Sequence, residues 1–290
     1  MSPSRLRRPL RIVHLFPDLL NLYGDRGNVA TLAQRARWRG FDVEIRPIDA
    51  TADDAPIAAD IIFIGGGPDR MQVEAARALA RMEGSLARAV SRGSALLAVC
   101  GGFQNSGHVY RSSLAGSLAG PGLFDACTEA PDEGRRLVGG VVVKLEPGSP
   151  IAAQGRTSAA VAGFAGQEET IVGFENHGGR TFLGSGAHVL GRVDRGHGNN
   201  GVDGGEGLIA LPGEAGLAGL RLGTYLHGPL LPRNPHLADF ILASVLARHG
   251  ITELSPLPDV AEWAAHASFA ERWRTAPGAV ARLRASRRPT

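Results

Sequence analysis

Apolar runs and amphipathic stretches alternate along the first hundred residues of the chain. Four stretches have the apolar character of strands: LRIVHLF (10–16), FDVEIRPI (41–48), DIIFI (60–64) and SALLAVC (94–100). Two stretches between them have helical character and end in glycine: NVATLAQRARWRG (28–40) and VEAARALARMEGSLARAVSRG (73–93), the second interrupted at Gly84. Buried strands that alternate with helices are typical of a parallel sheet covered on both faces. We therefore predict an α/β fold with a mostly parallel sheet.

The second half of the chain has a different pattern, in which turns separate the strands. We predict strands at residues 136–147, 170–183 and 220–231, with a glycine-rich loop at 194–207. A helix follows at 236–250 and ends at Gly250. These elements predict one domain over residues 1–250. A C-terminal extension at 251–290 would hold one helix around 259–274 and a flexible, arginine-rich tail.

The charge of the chain gives little support to nucleic-acid binding. The isoelectric point is near 9.3, but the net charge is only +3 over 290 residues and Lys144 is the only lysine. The arginine clusters lie near the two termini, where basic tails are common and solvated. No apolar run approaches the ~18 residues of a membrane span, and no signal-peptide pattern is present. We expect a cytoplasmic protein, not inserted in a membrane, with Cys100 and Cys127 as free thiols.

Cys100 ends an apolar strand, and Gly101 and Gly102 follow it directly. A strand that turns sharply into a helix, with a nucleophile at the turn and small residues around it, is a nucleophile elbow. The helix that starts there would favour the thiolate, and the Gly101 N–H would donate to an oxyanion. The alternative is a small buried hydrophobic residue, the usual role of free cysteine. The two glycines favour the nucleophile.

Acyl chemistry on an amide also needs a group that protonates the departing amine. His227 follows the apolar stretch LGTYL (222–226), so it too lies at the end of a strand. It would act beside Cys100 as general base and acid. The alternative is a hydrogen-bonded surface histidine. His177, in the stretch FENHGGRT, is a rival candidate for the same role.

The turn GGGP (65–68) follows another buried strand. It lacks the GxxxxGK[ST] pattern of a phosphate-binding loop, and the only lysine is far away in sequence. We interpret the turn as a source of backbone N–H donors for an oxyanion; the alternative is a tight connection between a strand and a helix. Because ligands bind at the carboxyl ends of parallel strands, we expect this turn and Cys100 in one site.

Several stretches together resemble a known family. CGGFQ (100–104) is similar to the C-x-G-x-Q motif of class I glutamine amidotransferases, in which the cysteine attacks the carboxamide of glutamine. Further stretches resemble the GatD subfamily, the glutaminase subunits of lipid II isoglutaminyl synthases: NLYGDRGN (21–28), FIGGGPDR (63–70), GFENHGGRT (173–181), GHGNNGVDGGEG (196–207) and GTYLHGPLLPRN (223–234). The resemblance covers residues 10–245 and implies a flavodoxin-like amidotransferase fold.

The resemblance implies roles for the residues that match its motifs. Cys100 would be the nucleophile, with His227 as its partner, and Gln104 would line the glutamine pocket. Arg136 would bind the substrate, and a guanidinium suits this task because it holds an α-carboxylate through two hydrogen bonds. Arg135, the preceding residue, leaves that alignment open by one position.

The resemblance also implies an oxyanion hole, made by Gly101 and a backbone N–H of the Gly66–Gly67 turn. Asp25 lies in the N-terminal motif as a possible accessory residue, with a helix cap or a stabilised turn as its alternative role. Most enzymes of the class carry a glutamate two residues after the histidine, but this chain has Pro229 there. Three options stay open: a carboxylate from the partner ligase, a Cys–His dyad, or another carboxylate such as Glu175.

The resemblance implies a glutaminase that supplies ammonia from L-glutamine to a Mur-ligase-like partner, MurT. The partner would use ATP and Mg²⁺ to amidate the D-glutamate of lipid II in peptidoglycan synthesis. We therefore expect no cofactor and no metal ion in this chain. Two alternatives stay open: a cobyrinate or cobyric acid amidotransferase component, and a non-catalytic interaction protein with the same fold.

Overall fold

The computed structural model describes residues 6–52, 54, 56–130 and 135–275. The strands are β1 (Leu10–Leu15), β2 (Val43–Ile48), β3 (Ile61–Ile64), β4 (Ala95–Val99), β5 (Val109–Ser112), β6 (Gly116–Ala119), β7 (Ala126–Glu129), β8 (Leu137–Lys144), β9 (Thr170–His177), β10 (Arg180–Leu183), β11 (Gly191–Arg195), β12 (Gly205–Glu206), β13 (Leu208–Ala210) and β14 (Arg221–Thr224). The α-helices are α1 (Arg26–Trp38), α2 (Asp69–Arg81), α3 (Glu83–Ser91), α4 (Gly101–Asn105), α5 (Pro150–Val161), α6 (Pro235–Ala247) and α7 (Val260–Thr275).

The central sheet has six strands in the order β13-β14-β4-β3-β1-β2, and only the edge strand β13 is antiparallel to its neighbour. The order β2-β1-β3-β4-β14 is the flavodoxin-like order. β3 and β4 are buried along their whole length, which explains their continuous apolar sequences, whereas the edge strand β2 is largely exposed. The predicted parallel α/β fold is confirmed. The carboxyl ends of β3, β4 and β14 meet at one edge.

Two four-stranded sheets stand beside the central one, in the orders β10-β7-β5-β6 and β12-β11-β8-β9. β8 and β9 pair antiparallel along eight residues each, and they bring Val138 opposite Asn176. The strands predicted at 136–147 and 170–183 are confirmed as β8 and as β9 with β10. The sequence-based prediction had no counterpart for the strands β5, β6, β7, β11 and β13 or for the helix α5. The stretch 194–207, predicted as a loop, holds the end of β11 and the short strand β12.

Two predicted boundaries differ from the structure. The helical stretch 73–93 forms two helices that meet at Met82, and Gly84 lies inside the second of them. The predicted strand at 220–231 ends at Thr224, because the chain then leaves the central sheet. Phe174 and His227 form an isolated antiparallel bridge, which ties the departing chain to β9.

The C-terminal extension packs against β8 and β9 through α7, with Trp263 completely buried. Arg35 of α1 binds Asp239 and Asp259 through N···O contacts of 2.7 Å, and all three side chains are buried. The division at residue 250 stays a prediction, and the predicted tail lies outside the described residues. Among the helices of the described part, none is long and apolar enough to cross a membrane.

Candidate active site

Cys100 lies at a sharp turn between β4 and α4, as the sequence predicts. Its backbone has φ 51° and ψ −106°, a conformation that costs a residue with a side chain ~1–3 kcal/mol. The Cys100 N–H donates to Thr224 O at 2.7 Å, which fixes the turn against β14. A Cβ on Gly102 would lie only 2.6 Å from Ile64 O, so the small residue permits close contact with β3. Cys100 and Cys127 are both free thiols.

His227 packs directly against Cys100. A Cβ placed on Gly66 would lie 2.6 Å from Cε1 of His227 and 3.1 Å from Cβ of Cys100, so the two side chains meet above this glycine. The imidazole is buried, and its Nε2 has no hydrogen-bond partner among the described residues. Burial lowers the pKa of His227, but the charges of Cys100 and Asp25 outweigh burial and raise it to about 10. These charges favour the protonated imidazole, which lies beside Cys100.

Asp25 supplies the carboxylate that orients this imidazole. The side chain is completely buried, with Oδ1 at 3.3 Å from Nδ1 of His227. Oδ2 accepts a 2.7 Å hydrogen bond from the Gly66 N–H. Asp25 occupies the N-cap position of α1, yet its side chain makes no capping hydrogen bond. The helix-cap alternative is therefore wrong for Asp25, which completes a Cys–His–Asp arrangement within one chain.

Pro229 stands where the resemblance expects a glutamate, and it packs against the segment that carries Asp25. A Cβ on Gly27 would lie 2.6 Å from Cγ of Pro229, and a Cβ on Gly24 would lie 3.7 Å from its Cδ. Both glycines thus let the proline approach the start of α1. Pro229, two residues after His227, thus supports the segment that carries Asp25 and does not itself provide a carboxylate.

Glu175 does not take the role of the orienting carboxylate. It is completely buried, but its oxygens accept hydrogen bonds from the His197 N–H at 2.8 Å, from the His197 ring at 2.6 Å and from the Gly198 N–H at 3.0 Å. Burial raises the pKa of Glu175, and the two histidines His177 and His197 outweigh burial and lower it. The carboxylate therefore anchors the glycine-rich loop, and the option that it substitutes for the missing glutamate is wrong.

His177, the rival general base, is as deeply buried as His227 but has other partners. Its ring stacks on Tyr225 at 3.6 Å between centroids, and its Nδ1 lies 2.8 Å from Gly179 O. Burial lowers the pKa of His177. These contacts hold the ring in the core, so His227 is the histidine that the structure brings to Cys100.

The backbone N–H groups near Cys100 divide into two kinds. The Gly66 N–H is bound by Asp25, so the prediction that it donates to an oxyanion does not fit the structure. The Gly67 and Gly101 N–H groups have no acceptor among the residues that the structure describes. A Cβ on Gly67 would lie 2.6 Å from Leu19 O, which explains the glycine there. Gly67 and Gly101 remain as the candidate oxyanion donors.

The two predicted substrate-binding residues differ in their exposure to solvent. Gln104 is buried on α4, and its Oε1 has no hydrogen-bond partner in the described part of the chain. Arg136 is partly exposed: its Nε donates to Asn176 Oδ1 at 2.7 Å and its Nη2 to Asn176 O at 2.8 Å. Arg135 instead receives a hydrogen bond from Arg180 on its carbonyl oxygen. The choice of Arg136 over Arg135 as the substrate-binding residue stays a prediction.

Tyr23 packs against His227, although no separate role for it could be predicted from the sequence. The two rings meet edge to face at 5.1 Å between centroids, and the Tyr23 OH accepts a hydrogen bond from Asn176 Nδ2 at 2.5 Å. The backbone of Tyr23 has φ 53°, in the left-handed region. The motif NLYGDRGN contains this residue, but no hydrophobic pattern marks it. Within the described residues, no group of three or more His, Cys, Asp or Glu side chains could hold a metal ion.

Residues 11–235 match the CobB/CobQ-like glutamine amidotransferase domain. The chain is 38% identical over 242 residues to the lipid II isoglutaminyl synthase (glutamine-hydrolyzing) subunit GatD of Staphylococcus aureus, covering 83% of this chain and 86% of that protein. It is 31% identical over 239 residues to the GatD subunit of Streptococcus pneumoniae, covering 82% and 81%. A cobyric acid synthase of Nocardia farcinica is 30% identical over 177 residues, which are 59% of this chain but 29% of that protein. These matches confirm the resemblance to the GatD subfamily.

Proposed function

Because the chain belongs to the CobB/CobQ-like glutamine amidotransferase family, we propose that it is the glutamine-hydrolysing subunit of a lipid II isoglutaminyl synthase. The observation that carries this proposal is the buried contact of Cys100, His227 and Asp25 beside two free backbone N–H groups. The proposal draws further support from the two GatD relatives, whose matches cover more than four fifths of both chains.

The first half of the reaction forms a thioester and releases ammonia. The Cys100 sulfur, as thiolate, attacks the carboxamide carbon of L-glutamine, a C–S bond forms, and the carbonyl oxygen becomes an oxyanion. In this proposal the Gly67 and Gly101 N–H groups donate to that oxyanion. The protonated His227 then gives its proton to the nitrogen as the C–N bond breaks, so that ammonia leaves. Gln104 and Arg136 hold the rest of the substrate.

The second half of the reaction hydrolyses the thioester. His227, now neutral, accepts a proton from water, and the water oxygen attacks the γ-glutamyl carbon. The C–S bond breaks, glutamate leaves, and the thiolate and imidazolium are restored. Asp25 holds Nδ1 of His227 during both halves, which keeps Nε2 directed at the sulfur.

The ammonia passes to a Mur-ligase-like partner of the MurT type in the cytoplasm. In this proposal the partner binds ATP and Mg²⁺ and amidates the D-glutamate of lipid II, giving D-isoglutamine for peptidoglycan. The printed names of both GatD relatives describe them as subunits, which supports a complex with a second chain.

A cobyric acid amidotransferase component is the second candidate, because a cobyric acid synthase is also related. That match covers 29% of the cobyric acid synthase, whereas the GatD matches cover 86% and 81% of those proteins. Ammonia-dependent amidation of lipid II or of a corrin carboxylate, measured with the purified complex, separates the two candidates.

The proposed function is tested by covalent labelling of the nucleophile. A diazo-ketone analogue of glutamine, incubated with the complex of this chain and its partner, should add one mass increment at Cys100. The Cys100→Ala variant should release no ammonia from glutamine and should bind the partner as tightly as the parent chain. Cys127→Ala is the matched control and should keep both labelling and ammonia release.

The labelling separates an enzyme from a non-catalytic protein with the same fold. An unmodified Cys100 in the assembled complex would exclude the glutaminase. Labelling at Cys127 instead of Cys100 would mean that the reactive thiol lies on β7 and not at the turn between β4 and α4. This result would also contradict the mechanism.

A further inference from the structure

Gln72 of α2 contacts both glycines whose N–H groups are the candidate oxyanion donors. The residue is buried, with 2% of its surface exposed. Nε2 donates a 2.8 Å hydrogen bond to Gly67 O. A Cβ on Gly101 would lie 2.9 Å from Cδ and 3.0 Å from Cγ of Gln72, so the side chain also packs on the backbone of Gly101. One carboxamide group thus lies against the turn after β3 and against the start of α4.

The backbone of Gln72 is held by two helices. Its N–H donates to Pro68 O at 3.0 Å in the first turn of α2, and its carbonyl oxygen accepts a 3.1 Å hydrogen bond from Asn105 Nδ2 on α4. Asn105 is itself buried. The side chain of Gln72 therefore reaches back to Gly67 from a backbone that is fixed on two sides.

The free N–H of Gly67 needs support of this kind, because a glycine backbone rotates with little steric restriction. Hydrogen bonds with the segment 22–25 hold the N–H and the carbonyl oxygen of Gly66, at 2.7 and 2.9 Å. Gln72 holds the carbonyl oxygen of Gly67 on the other side of the free N–H, and it also packs on Gly101. Gln72 therefore relates the donor of the turn to the donor of α4.

Packing alone does not explain a glutamine at this position. Oε1 of Gln72 is buried and has no hydrogen-bond partner among the described residues, and a buried acceptor without a partner costs free energy. A methionine would fill a similar volume without that cost. A backbone hydrogen bond from the Gly102 N–H to Gly65 O, at 3.0 Å, already joins α4 to the turn. What the glutamine adds is the Nε2 donor to Gly67 O.

We propose that Gln72 is a positioning residue for the oxyanion hole, which holds the Gly67 and Gly101 N–H groups at the separation that the oxyanion requires. This inference rests on the proposed function and deepens it. The oxyanion exists only after the Cys100 sulfur has attacked the carboxamide, so the contribution of Gln72 appears in kcat and not in the binding of glutamine. In this role Gln72 acts through the two glycines and not on the substrate.

The test replaces Gln72 by methionine in the full chain with its partner, which keeps a similar volume and removes the Nε2 donor. Gln72→Met should lower kcat for glutamine hydrolysis about 10–100-fold, less than the ~10²–10³-fold loss for removal of a whole oxyanion donor. KM should stay within about threefold. Thermal unfolding shows whether the variant folds as the parent chain does. Gln34→Met, the same substitution at an exposed glutamine of α1, is the matched control and should leave kcat and KM unchanged.

Alkylation by iodoacetamide separates the oxyanion hole from the activation of the thiol. Displacement of iodide by the Cys100 thiolate forms a C–S bond and passes through no oxyanion. In a Cys127→Ala background, Cys100 is the only thiol of the chain. There Gln72→Met should keep the alkylation rate within about twofold of the parent chain while kcat falls. A role of Gln72 in general packing around Cys100 would lower both rates together.

Three outcomes would overturn the proposal: an unchanged kcat in a folded Gln72→Met, a loss that appears in KM alone, or an alkylation rate that falls as far as kcat. If Gln72→Met does not fold, Gly101→Ala decides, because its Cβ would lie 2.9 Å from Cδ of Gln72 and would displace the carboxamide. Gly101→Ala should lower kcat and keep the alkylation rate, and a normal kcat would contradict the proposal.

Diazo-ketone labelling of Cys100 in the parent chain keeps the two proposals apart. A chain that is labelled and active, but whose kcat does not depend on Gln72, contradicts only the positioning role. A parent chain that is neither labelled nor active contradicts the proposed function itself.

Discussion

Asp25 and His227 are 202 positions apart in the chain, yet Oδ1 of the aspartate lies 3.3 Å from Nδ1 of the histidine. The same carboxylate binds the Gly66 N–H, so the imidazole, the carboxylate and the turn after β3 form one unit. A carboxylate on Nδ1 selects the tautomer whose Nε2 faces the nucleophile and stabilises the imidazolium. The orienting group that Pro229 cannot supply thus comes from the N-terminal motif.

Asp25→Asn should lower kcat for glutamine hydrolysis about 10³-fold, because the amide can hold the imidazole in the wrong tautomer. KM should change little, since Asp25 lies behind His227 as seen from the substrate. The measurement is ammonia release at saturating glutamine. Glu175→Gln is the control, since this buried carboxylate anchors the glycine-rich loop, and kcat should stay within about threefold. If Glu175→Gln lowered kcat more than Asp25→Asn did, Glu175 and not Asp25 would be the carboxylate that orients His227.

The isolated chain should hydrolyse glutamine without its partner. Cys100, His227 and Asp25 all belong to this chain, so we expect hydrolysis that does not depend on a carboxylate of the partner. Addition of the partner should change kcat by less than about tenfold. If the partner raised kcat several hundredfold and Asp25→Asn had unchanged kcat, a residue of the partner would be the group that orients His227.

The nucleophile could be predicted from sequence because its signal is local. The apolar run, the thiol and two glycines stand within a few residues and describe the strand, the turn and the helix together. Asp25 had no such signal, since an aspartate before a helix is most often a cap. Its role depends on a contact between distant segments. The packing of Pro229 on Gly27 and the hydrogen bond from the Leu231 N–H to Asn28 Oδ1 show why these segments meet.

The unpredicted parts of the fold have weak local patterns. β6 is a short, mostly exposed strand of sequence GSLA, and it pairs with β5 and contacts α2. α5 is rich in alanine and small residues, so its apolar face gives little periodic contrast, although Ser149 caps it and Pro150 begins it. The buried strands β3 and β4, which have continuous apolar sequences, were predictable for the opposite reason.

Gly66→Ala should reduce kcat at least about 100-fold, although the added group is one methyl. Its Cβ would lie 2.6 Å from Cε1 of His227, so the imidazole must move away from Cys100. A displacement of this kind costs far more in rate than in folding. Steady-state kinetics and thermal unfolding check the two effects separately. Gly186→Ala, whose Cβ would lie 3.9 Å from Asp125, is the control and should leave kcat and thermal stability unchanged. A normal kcat in Gly66→Ala would contradict the prediction and would mean that the His227 imidazole can move without loss of activity.

Asp259→Ala should lower the free energy of unfolding by ~2 kcal/mol, because it leaves the buried Arg35 with one carboxylate fewer. Asp239 still binds Arg35, so the loss stays below that of a fully unpaired charge. Chemical denaturation provides the measurement, and Glu271→Gln on the exposed face of α7 is the control. A destabilised protein would show that the extension after residue 250 is part of the folding unit, whereas unchanged stability would indicate that the extension folds separately.

Glu206 should make the stability of the protein fall as the pH rises from about 4.5 to about 7. The side chain is completely buried, and burial raises its pKa to about 7, although Thr224 and the Tyr225 N–H donate to Oε1 at 2.7 and 2.9 Å. The pKa of Glu206 is higher in the folded than in the unfolded state, so the folded state binds more protons between pH 4.5 and pH 7. The stabilisation that protonated Glu206 provides is therefore complete below pH 4.5 and is lost as the pH rises through 7.

Glu206→Gln keeps the shape and the Oε1 acceptor but removes the titrating group. The difference in unfolding free energy between variant and parent should therefore increase from pH 4.5 to pH 7, and the variant should be more stable by ~2 kcal/mol at pH 8. Denaturant unfolding across this pH range gives the comparison, with Glu253→Gln as an exposed control. A constant difference across the range would mean that Glu206 keeps one protonation state in the folded protein, contrary to the burial of its carboxyl group.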